Sequence, residues 1–319
     1  MKYLITGAAG FIGFHLSLNL LRNKKNIVYG LDNFDSYYSV KLKKKRAELL
    51  SKYKNFKLIK VNLTKKSQLK KLQKIKVNII FHLAAQAGVR YTLINPDKYV
   101  ETNIFGYYNL LSYIQNSRAK YIFYASSSSI YGDNKNYPLN EKAKLLPKNI
   151  YAYSKISNEN CSRLFSKLFK KKFIGLRFFT VYGEWGRPDM FMMKYLASSY
   201  DKKINFYLNN YGKHTRDFTY ILDACKIISK LVFTKKKINH EIFNICSNNP
   251  KKLTDVIKKI NFLTQKKPKL FKRKLQQADV VKTHGTNKKI KSFIGNQSFT
   301  SLDDGLKITV EWFKHYYKI

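Results

Sequence analysis

The sequence has few acidic residues, few cysteines and no long apolar run. Its 319 residues include 19 Asp and Glu against 62 Lys and Arg. Because no stretch approaches the roughly 18 apolar residues of a membrane-spanning helix, we expect no membrane segment. The cysteines Cys161, Cys225 and Cys246 lie far apart, which argues against a disulfide scaffold or a zinc site. We therefore expect reduced thiols, no metal and a cytoplasmic location.

The shortage of acidic residues leaves a net charge of +43. Such a charge can indicate nucleic-acid binding. The lysines, however, are spread along the whole chain and do not form one patch with interleaved aromatic residues. Because Asn, Ile, Phe and Tyr are abundant together with Lys, a bias of the coding sequence explains the charge better. We expect no specific nucleic-acid partner, although the charge would attract an anionic substrate.

Arginine is scarce, with nine residues among the 62 basic ones. Four of them, Arg90, Arg177, Arg187 and Arg216, fall in motif-like stretches. A planar guanidinium that grips a carboxylate or a phosphate cannot be replaced by lysine. The positions at which arginine persists are therefore informative about anionic ligands.

Strand-like apolar runs alternate with helical patterns over the first half of the chain. The strand-like runs are KYLIT, NIVYGLD, FKLIKVN, NIIFHLA, AKYIFYASS and KFIGLRFF. The helical patterns include residues 97–116 and a stretch from about 151 to 171. This alternation predicts an α/β fold with a doubly wound parallel sheet.

A glycine-rich turn joins the first strand to the first helix. In LITGAAGFIG, Gly7, Gly10 and Gly13 leave one side of the turn open, so the backbone can approach a pyrophosphate. Asp32 ends the second strand, 19 residues after Gly13, where a carboxylate can accept both ribose hydroxyls of an adenosine and would repel a 2′-phosphate. A tight structural turn and a helix cap are the simpler alternatives. Together the two features favour NAD over NADP.

Serine, tyrosine and lysine follow near the ends of later strands. The run YASSSSIYG places Ser126 to Ser129 at a strand end, and Tyr151 and Lys155 lie one turn apart on a helix. In a doubly wound sheet these positions converge on the ligand crevice. Tyr151 could act as a base there if nearby cations lowered its pKa from about 10. A chance Tyr/Lys spacing is the alternative, and the preceding turn and serine strand make it the weaker one.

At this point the sequence resembles the extended short-chain dehydrogenase/reductases, specifically the NAD-dependent nucleotide-sugar epimerases. The likeness lies in TGAAGFIG, GLDNFDSYY, FHLAAQAGVRYTLINP, YASSSSIYG, YAYSK, LRFFTVYGEWGRPDM and HTRDFTYILD. Through AAQAGVRY and FFTVYGEWGRPDM it is most similar to the UDP-glucuronate 4-epimerases. The resemblance implies NAD as cofactor and a UDP-sugar as substrate.

The resemblance also implies roles for individual residues. Tyr151 would be the base, Lys155 would bind the nicotinamide ribose and Ser127 would hold the sugar hydroxyl. The other cofactor residues, besides the glycines and Asp32, would be Phe11, Ile12, Asn33, Asn62, Leu63, Leu83, Ala84, Ala85, Gln86, Asn103 and Phe178. The substrate residues would be Arg90, Ser128, Ser129, Thr180 and Arg187 at the sugar end, with Arg216 and Asp279 on the nucleotide side.

Two units divide the chain in this interpretation. An NAD-binding domain of the Rossmann type would span residues 1–179, and 218–247, with the run HEIFNIC, would return to it. Residues 180–217 and 248–319 would form a smaller C-terminal lobe that binds the UDP-sugar. Because relatives pair the helices near 97–116 and 151–171, we also expect a homodimer.

The implied reaction interconverts UDP-glucuronate and UDP-galacturonate through a 4-keto sugar. No Asp or Glu lies between Tyr121 and Ile130, where dehydratases and decarboxylases of this family carry an acid. A 4-epimerase of UDP-glucose and UDP-galactose, or of UDP-N-acetylhexosamines or their uronates, is the nearest alternative. A non-catalytic NAD-binding or RNA-binding protein is the alternative from another class.

Three positions depart from the family pattern. Asn62 stands where an acidic residue is usual, Ala278 where glycine is usual and Glu184 where proline is common. An amide at position 62 can still bond to a base edge. The departures concern the nucleotide side of the smaller lobe more than the catalytic centre.

Overall fold

Short apolar runs form most of the strands in the computed structural model, which describes residues 1–319. In chain order the strands are β1 (Lys2–Thr6), β2 (Ile27–Asp32), β3 (Phe56–Lys60), β4 (Ile79–His82), β5 (Tyr121–Ser127), β6 (Lys172–Phe178), β7 (Thr180–Tyr182), β8 (Phe206–Asn209), β9 (Thr215–Tyr220), β10 (His240–Ile245), β11 (Pro250–Lys252) and β12 (Leu270–Arg273).

Ten α-helices connect or follow these strands. They are α1 (Phe11–Leu21), α2 (Val40–Ser51), α3 (Asp97–Tyr99), α4 (Gly106–Asn116), α5 (Ile150–Phe169), α6 (Phe191–Tyr200), α7 (Ile221–Val232), α8 (Leu253–Thr264), α9 (Lys288–Ile294) and α10 (Leu302–Tyr317). A π-helical stretch, Val100–Phe105, joins α3 to α4, so the predicted helix over 97–116 forms with an irregular middle. None of the helices is long and apolar enough to cross a membrane.

Seven strands form one parallel sheet in the order β3-β2-β1-β4-β5-β6-β10. The chain runs outward from β1 to β3, then crosses over to β4 and continues the other way. This reversal opens a crevice between the carboxyl ends of β1 and β4, where ligands bind in doubly wound sheets. The predicted fold class is confirmed, and the run HEIFNIC does return to the sheet, because β10 pairs with β6.

The two faces of this sheet bury different side chains, as alternation along a strand requires. On one face, Leu4 and Ile80 belong to a core cluster with Leu110 of α4. On the other, Ile5 and Phe81 belong to a cluster that includes residues of α1 and α7. A parallel sheet covered on both faces explains why its strands read as nearly continuous apolar runs.

Two small sheets lie outside the main one. β7, β9 and β11 form a three-stranded sheet, and β8 pairs with β12. Their strands come from the ranges that we assign to the smaller lobe, except for β9, which crosses from one range into the other. The exact division into two units stays a prediction.

Candidate active site

The glycine-rich turn packs so closely that two of its glycines have no room for a side chain. Gly7 has a φ of +72°, and a Cβ there would lie 2.8 Å from the backbone nitrogen of Ala84. A Cβ on Gly13 would lie 2.1 Å from the carbonyl oxygen of Gly7. Helix α1 starts at this turn without a side-chain cap. Its first N–H groups are therefore free to bind an anion such as a pyrophosphate.

Asp32 lies beside this turn at the end of β2. Its carboxylate accepts the N–H groups of Ala9 at 3.0 Å and Phe34 at 2.8 Å. Burial raises the pKa of Asp32, and these N–H groups and the Lys43 ammonium act against that rise. A carboxylate fixed in this way can accept ribose hydroxyls, and its charge would oppose a phosphate at the same place.

One cleft runs from the glycine-rich turn to Tyr151. Among its lining residues are most of those predicted from the sequence: Gly7, Gly10, Phe11, Ile12, Gly13, Asp32, Asn33, Asn62, Leu63, Leu83, Ala84, Ala85, Gln86, Ser127, Tyr151, Lys155, Phe178 and Arg187. The cleft has free amides and the Asp32 carboxylate at one end and the Tyr/Lys pair at the other. This arrangement fits a dinucleotide such as NAD.

A helix cap and a strand end place the three candidate catalytic side chains. Helix α5 is capped by Asn149, whose side-chain oxygen accepts an N–H of the first turn at 2.9 Å. Lys155 Nζ donates to the carbonyl oxygen of Ala125 at 2.9 Å and lies 5.8 Å from the centre of the Tyr151 ring. Ser127 is the last residue of β5. The geometry thus brings Ser127, Tyr151 and Lys155 to one place, as predicted.

Burial dominates the electrostatics of Lys155 and Tyr151. Burial lowers the pKa of Lys155 to about 8, which leaves the ammonium mostly protonated at neutral pH. Burial also raises the pKa of Tyr151, although the Ser127 hydroxyl and the Arg187 charge oppose the rise. The protein alone therefore does not lower the Tyr151 pKa, and a base role for Tyr151 would need a cationic ligand in addition to Lys155.

A buried ion pair supports the serine strand from behind. Glu159 lies one turn beyond Lys155 and accepts the Ser126 hydroxyl proton at 2.6 Å. The Arg177 guanidinium donates to both Glu159 oxygens at 2.8 and 2.7 Å, and it also donates to the Tyr131 hydroxyl at 2.8 Å. Glu159 is only 5% exposed. Because its carboxylate is fully engaged, it positions β5 against α5 and is not an acid that faces a substrate.

Asn103 is a correction to the predicted cofactor set. Its side chain is buried and does not line the cleft. The amide oxygen accepts the N–H of Gln86 at 2.8 Å, and the amide nitrogen donates to the Gln86 carbonyl and the Ser154 hydroxyl, each at 3.0 Å. All of its bonds are thus made within the protein. Asn103 fixes the cleft-lining segment at Gln86 and does not itself contact the cleft.

Arg187 lines the cleft but already has a carboxylate partner. Its Nε donates to Asp189 at 3.0 Å and its Nη2 at 2.5 Å. The guanidinium lies 5.9 and 6.0 Å from the ring centres of Tyr37 and Tyr38, and the Tyr37 hydroxyl donates to Asp189 at 3.2 Å. Although burial acts to raise the pKa of Asp189, Arg187 and Tyr37 hold it below its usual range. An acidic ligand would have to compete with this pair.

Arg90 is a second correction. It does not line the cleft around Tyr151. Its Nε and Nη2 donate to Asp279 at 3.1 and 2.8 Å, and its side chain is 52% exposed. Arg216 lies in the same cluster and donates to the carbonyl oxygens of Val280 and Val281 at 2.7 and 3.0 Å. Arg90 thus lies with Asp279 and Arg216, the residues predicted for the nucleotide side.

Burial dominates the electrostatics of this cluster. Burial lowers the pKa of Arg216 to about 10; the Arg90 charge acts in the same direction, and the Asp279 carboxylate acts against it.

The carbonyl of Asp279 accepts Lys148 Nζ at 3.1 Å, and the carbonyl of Ala278 accepts the Asn149 amide at 3.2 Å. The segment at residues 278–279 is therefore tied to the start of α5.

Three other predicted sugar-end residues do not line the cleft: Ser128, Ser129 and Thr180. The Ser127 hydroxyl donates to the Ser129 hydroxyl at 3.1 Å and accepts the Ser129 N–H at 3.2 Å, within a short 3₁₀ turn, Ser128–Tyr131. Thr180 lines a small adjoining cavity with Arg187 and Met190. The Ser129 hydroxyl is thus bonded to Ser127, and Thr180 faces a neighbouring space.

The cleft also contains residues that the sequence reasoning missed, notably Tyr37, Tyr38, Lys43 and Met190. The two tyrosines stand in GLDNFDSYY, one of the stretches that carried the family resemblance, so that stretch could have identified them. Lys43 is one of several lysines in α2, and nothing in its local sequence distinguishes it from the others.

Comparisons with known proteins agree with this geometry. The sequence profile described as "NAD dependent epimerase/dehydratase family" matches residues 3–246. UDP-glucuronate 4-epimerase 2 of Arabidopsis thaliana is 36% identical over 337 residues, a match that covers 100% of this chain and 77% of the relative.

Solved structures give the same likeness. The UDP-glucuronic acid 4-epimerase of Bacillus cereus in complex with UDP-glucuronic acid and NAD superposes with a TM-score of 0.93 at 30% identity, over 99% of this chain and 100% of the other. The UDP-glucose 4-epimerase of Thermotoga maritima with UDP-glucose gives a TM-score of 0.88 at 25% identity, over 99% and 100%.

Proposed function

The chain belongs to the NAD dependent epimerase/dehydratase family, and from this premise we propose that it catalyses the NAD-dependent 4-epimerisation of UDP-glucuronate. The product would be UDP-galacturonate, and the reaction would be reversible. The observation that carries the proposal is the single cleft that joins the glycine-rich turn and Asp32 to Ser127, Tyr151 and Lys155. The likeness to UDP-glucuronate 4-epimerases supports the choice of sugar.

The cofactor-binding end of the cleft would hold NAD. The free amides at the start of α1 would bind its pyrophosphate, and Asp32 would bind the adenosine ribose. Lys155 would donate to the nicotinamide ribose in place of the Ala125 carbonyl. When bound, NAD takes a hydride from the sugar and later returns it to the opposite face.

Tyr151 would take the proton from the sugar 4-hydroxyl and return it after the 4-keto sugar has turned over. Ser127 would hold the same oxygen, which requires its hydroxyl to exchange Ser129 for the substrate. The positive charges of Lys155 and of the bound cofactor would lower the Tyr151 pKa from the raised value that burial gives it. A base of this kind is worth about 10²–10⁴-fold in rate.

Epimerisation requires firm contacts to the nucleotide and loose contacts to the sugar, because the keto sugar must rotate. The arginine cluster around Asp279 is well suited to the first role. Arg90 and Arg216 are both held there, and cationic side chains near a diphosphate form charge-assisted bonds.

The acidic group of the sugar would face Arg187. Ser128 and Ser129 are the other candidate partners at the strand end. The 4-keto intermediate is a β-keto acid that could lose CO₂, so an epimerase has to hold the carboxylate in an orientation that disfavours this loss. To bind it, Arg187 would have to exchange Asp189 for the substrate carboxylate or share itself between them.

The same ion pair favours a second candidate, a 4-epimerase of neutral UDP-hexoses. Because Asp189 already neutralises Arg187, and Asp279 neutralises Arg90, neither arginine is left unpaired when the sugar carries no charge. The likeness to the UDP-glucose 4-epimerase of Thermotoga maritima is consistent with this alternative.

The experiment that separates the two is NMR analysis of the products from a panel of UDP-sugars. The proposal predicts that UDP-glucuronate is converted to UDP-galacturonate with a kcat/KM about tenfold to several hundredfold above that for UDP-glucose. Arg187→Ala should reduce turnover of UDP-glucuronate far more than turnover of UDP-glucose. Parallel losses would instead place Arg187 in the scaffold, and faster turnover of UDP-galactose would favour the neutral-sugar enzyme.

We further propose that the protein is cytoplasmic and forms a homodimer. All three cysteines are unpaired, which is consistent with a reducing compartment. Helices α4 and α5 pack against each other and expose large apolar side chains on their outer faces: Tyr108, Tyr153, Leu164 and Leu168 are 54–61% exposed. A second copy that presents the same two helices would cover this surface.

A further inference from the structure

A single buried guanidinium connects three loops around the cleft. Arg46 lies on α2 and has no exposed surface. Its Nη1 donates to the carbonyl of Ala9 in the glycine-rich turn and to the Tyr38 hydroxyl, both at 2.9 Å. Its Nη2 donates to the carbonyls of Trp185 at 2.5 Å and Gly186 at 3.4 Å. Its hydrogen-bond acceptors are therefore all neutral, which is unusual for a buried cation.

The segment that Arg46 holds leads directly to Arg187. The preceding carbonyl, that of Glu184, accepts the N–H of His15 Nε2 at 2.9 Å. Three successive carbonyls are thus bound by α1 and α2. Trp185 between them has a φ of +57°, a left-handed conformation that a residue with a large side chain adopts only when its surroundings enforce it. These bonds fix the course of the backbone that leads to Arg187.

The fork of the guanidinium is essential to this arrangement. Nη1 donates to the glycine-rich turn and to Tyr38, and Nη2 donates to the segment before Arg187. A lysine could keep the charge but could not donate along both directions at once. Arg46 shares no bond with Arg187, yet Tyr38 joins the two, because its ring lies 6.0 Å from the Arg187 guanidinium and its hydroxyl accepts from Arg46.

We propose that Arg46 is a positioning residue that fixes Arg187 relative to the cofactor end of the cleft, and so helps to set the preference for an acidic sugar. This inference rests on the proposed function, since Arg187 is its target. It assigns no contact between Arg46 and the substrate. Loss of the fork would release the segment before Arg187, and Arg187 would lose its fixed approach to the sugar.

The test is a double-mutant cycle of Arg46→Lys and Arg187→Ala, measured as kcat/KM on UDP-glucuronate. We expect Arg46→Lys alone to reduce kcat/KM about tenfold, and to reduce it less than twofold when Arg187 is already Ala, because contacting networks are not additive. Equal reductions in both backgrounds would overturn the inference. Arg118→Lys, at an exposed arginine, is the matched control and should change nothing.

Hydrogen–deuterium exchange is a second test of the inference, and it needs no substrate. In Arg46→Lys the amides of residues 183–190 should exchange faster, while those of the central sheet should not. Unchanged exchange over 183–190 would contradict the inference. If Arg46→Lys does not fold, Tyr38→Phe removes one acceptor of the same guanidinium and takes its place in both measurements. A wild type that turns over only neutral UDP-sugars would refute the proposed function, and the exchange result would still decide whether Arg46 holds this segment.

Discussion

At Tyr151 the environment and the proposed chemistry act in opposite directions. Burial raises its pKa, whereas a base near neutral pH needs a lower one. The Lys155 ammonium lies close by and is itself destabilised by burial, which lowers its pKa to about 8. In the ligand-free protein Tyr151 therefore stays protonated at neutral pH, and the proposed base role requires a cationic ligand beside Lys155. This would prevent an ionised tyrosine from being buried in the ligand-free protein.

Replacing the tyrosine hydroxyl tests this role. Tyr151→Phe should lower kcat on UDP-glucuronate by about 10²–10⁴-fold while affinity for the UDP-sugar changes little, because a base acts on the reacting proton. Tyr153→Phe is a matched control, since Tyr153 is on the same helix but 57% exposed. Steady-state kinetics and calorimetry measure the two effects. A Tyr151→Phe variant with more than half of wild-type turnover would remove Tyr151 from the mechanism.

The second prediction for a single residue concerns Asp32 and the preference for NAD over NADP. The purified protein should bind NAD and not NADP, because a 2′-phosphate would lie against a buried carboxylate. Calorimetry with both cofactors measures this preference. Asp32→Asn removes the charge and should narrow the difference between the two affinities, whereas Asp201→Asn, at an exposed carboxylate, is the control and should not. Tighter binding of NADP by the wild type would contradict the role of Asp32.

The residues that could be predicted from the sequence are those whose function depends on local spacing. Gly7, Gly13 and Tyr151 belong to such short patterns. The pairing of Arg90 with Asp279 could not be predicted, since the two are far apart along the chain and meet only in the folded protein. The same holds for Asn103, whose contact to Gln86 depends on how an irregular helix passes the end of β4.

At the scale of elements, the central sheet followed from its apolar runs, because strands buried on both faces carry a strong signal. The strands of the two small sheets could not be predicted in this way. β11 contains Pro250, Lys251 and Lys252, and β12 ends in Lys272 and Arg273, which are not typical strand sequences. Their pairing is set by the strands beside them and by the loops that bring them together.

The segment before Arg187 gives a prediction about pH. Burial lowers the pKa of His15 to about 4, and the Arg46 charge adds to this effect, while the bond to Glu184 opposes it. The unfolded chain has a pKa near 6.5, so below that value it binds more protons than the folded protein. The contribution of neutral His15 to stability is therefore full above pH 6.5 and is lost as the pH falls towards 4.

His15→Gln keeps an N–H donor but does not titrate. The unfolding free energy of the wild type should fall relative to this variant by up to about 3 kcal/mol between pH 6.5 and 4. Denaturant titrations at several pH values measure the difference, and the other buried histidines cancel because both proteins contain them. Parallel pH profiles for the two proteins would contradict the assignment of His15 as a buried neutral donor.

For the whole molecule, the net charge of +43 has to be compatible with self-association. Charge repulsion falls off within about 10 Å at 0.1 M salt, so a contact through apolar helices remains possible. We predict a particle of about twice 37.5 kDa in light scattering at micromolar concentration. Leu164→Glu with Leu168→Glu should shift it towards the monomer. Phe262→Glu, at an exposed apolar residue on α8, is the control. A wild-type monomer would count against the dimer.

The most direct test of the central claim is a competition reaction in D₂O followed by NMR. Wild-type protein is incubated with equal amounts of UDP-glucuronate and UDP-glucose. We expect UDP-galacturonate to form first, with its C4 proton retained, because the hydride leaves and returns within one site. Formation of UDP-galactose at an equal or greater rate, deuterium at C4 of the product, or no epimer of UDP-glucuronate at all would contradict it.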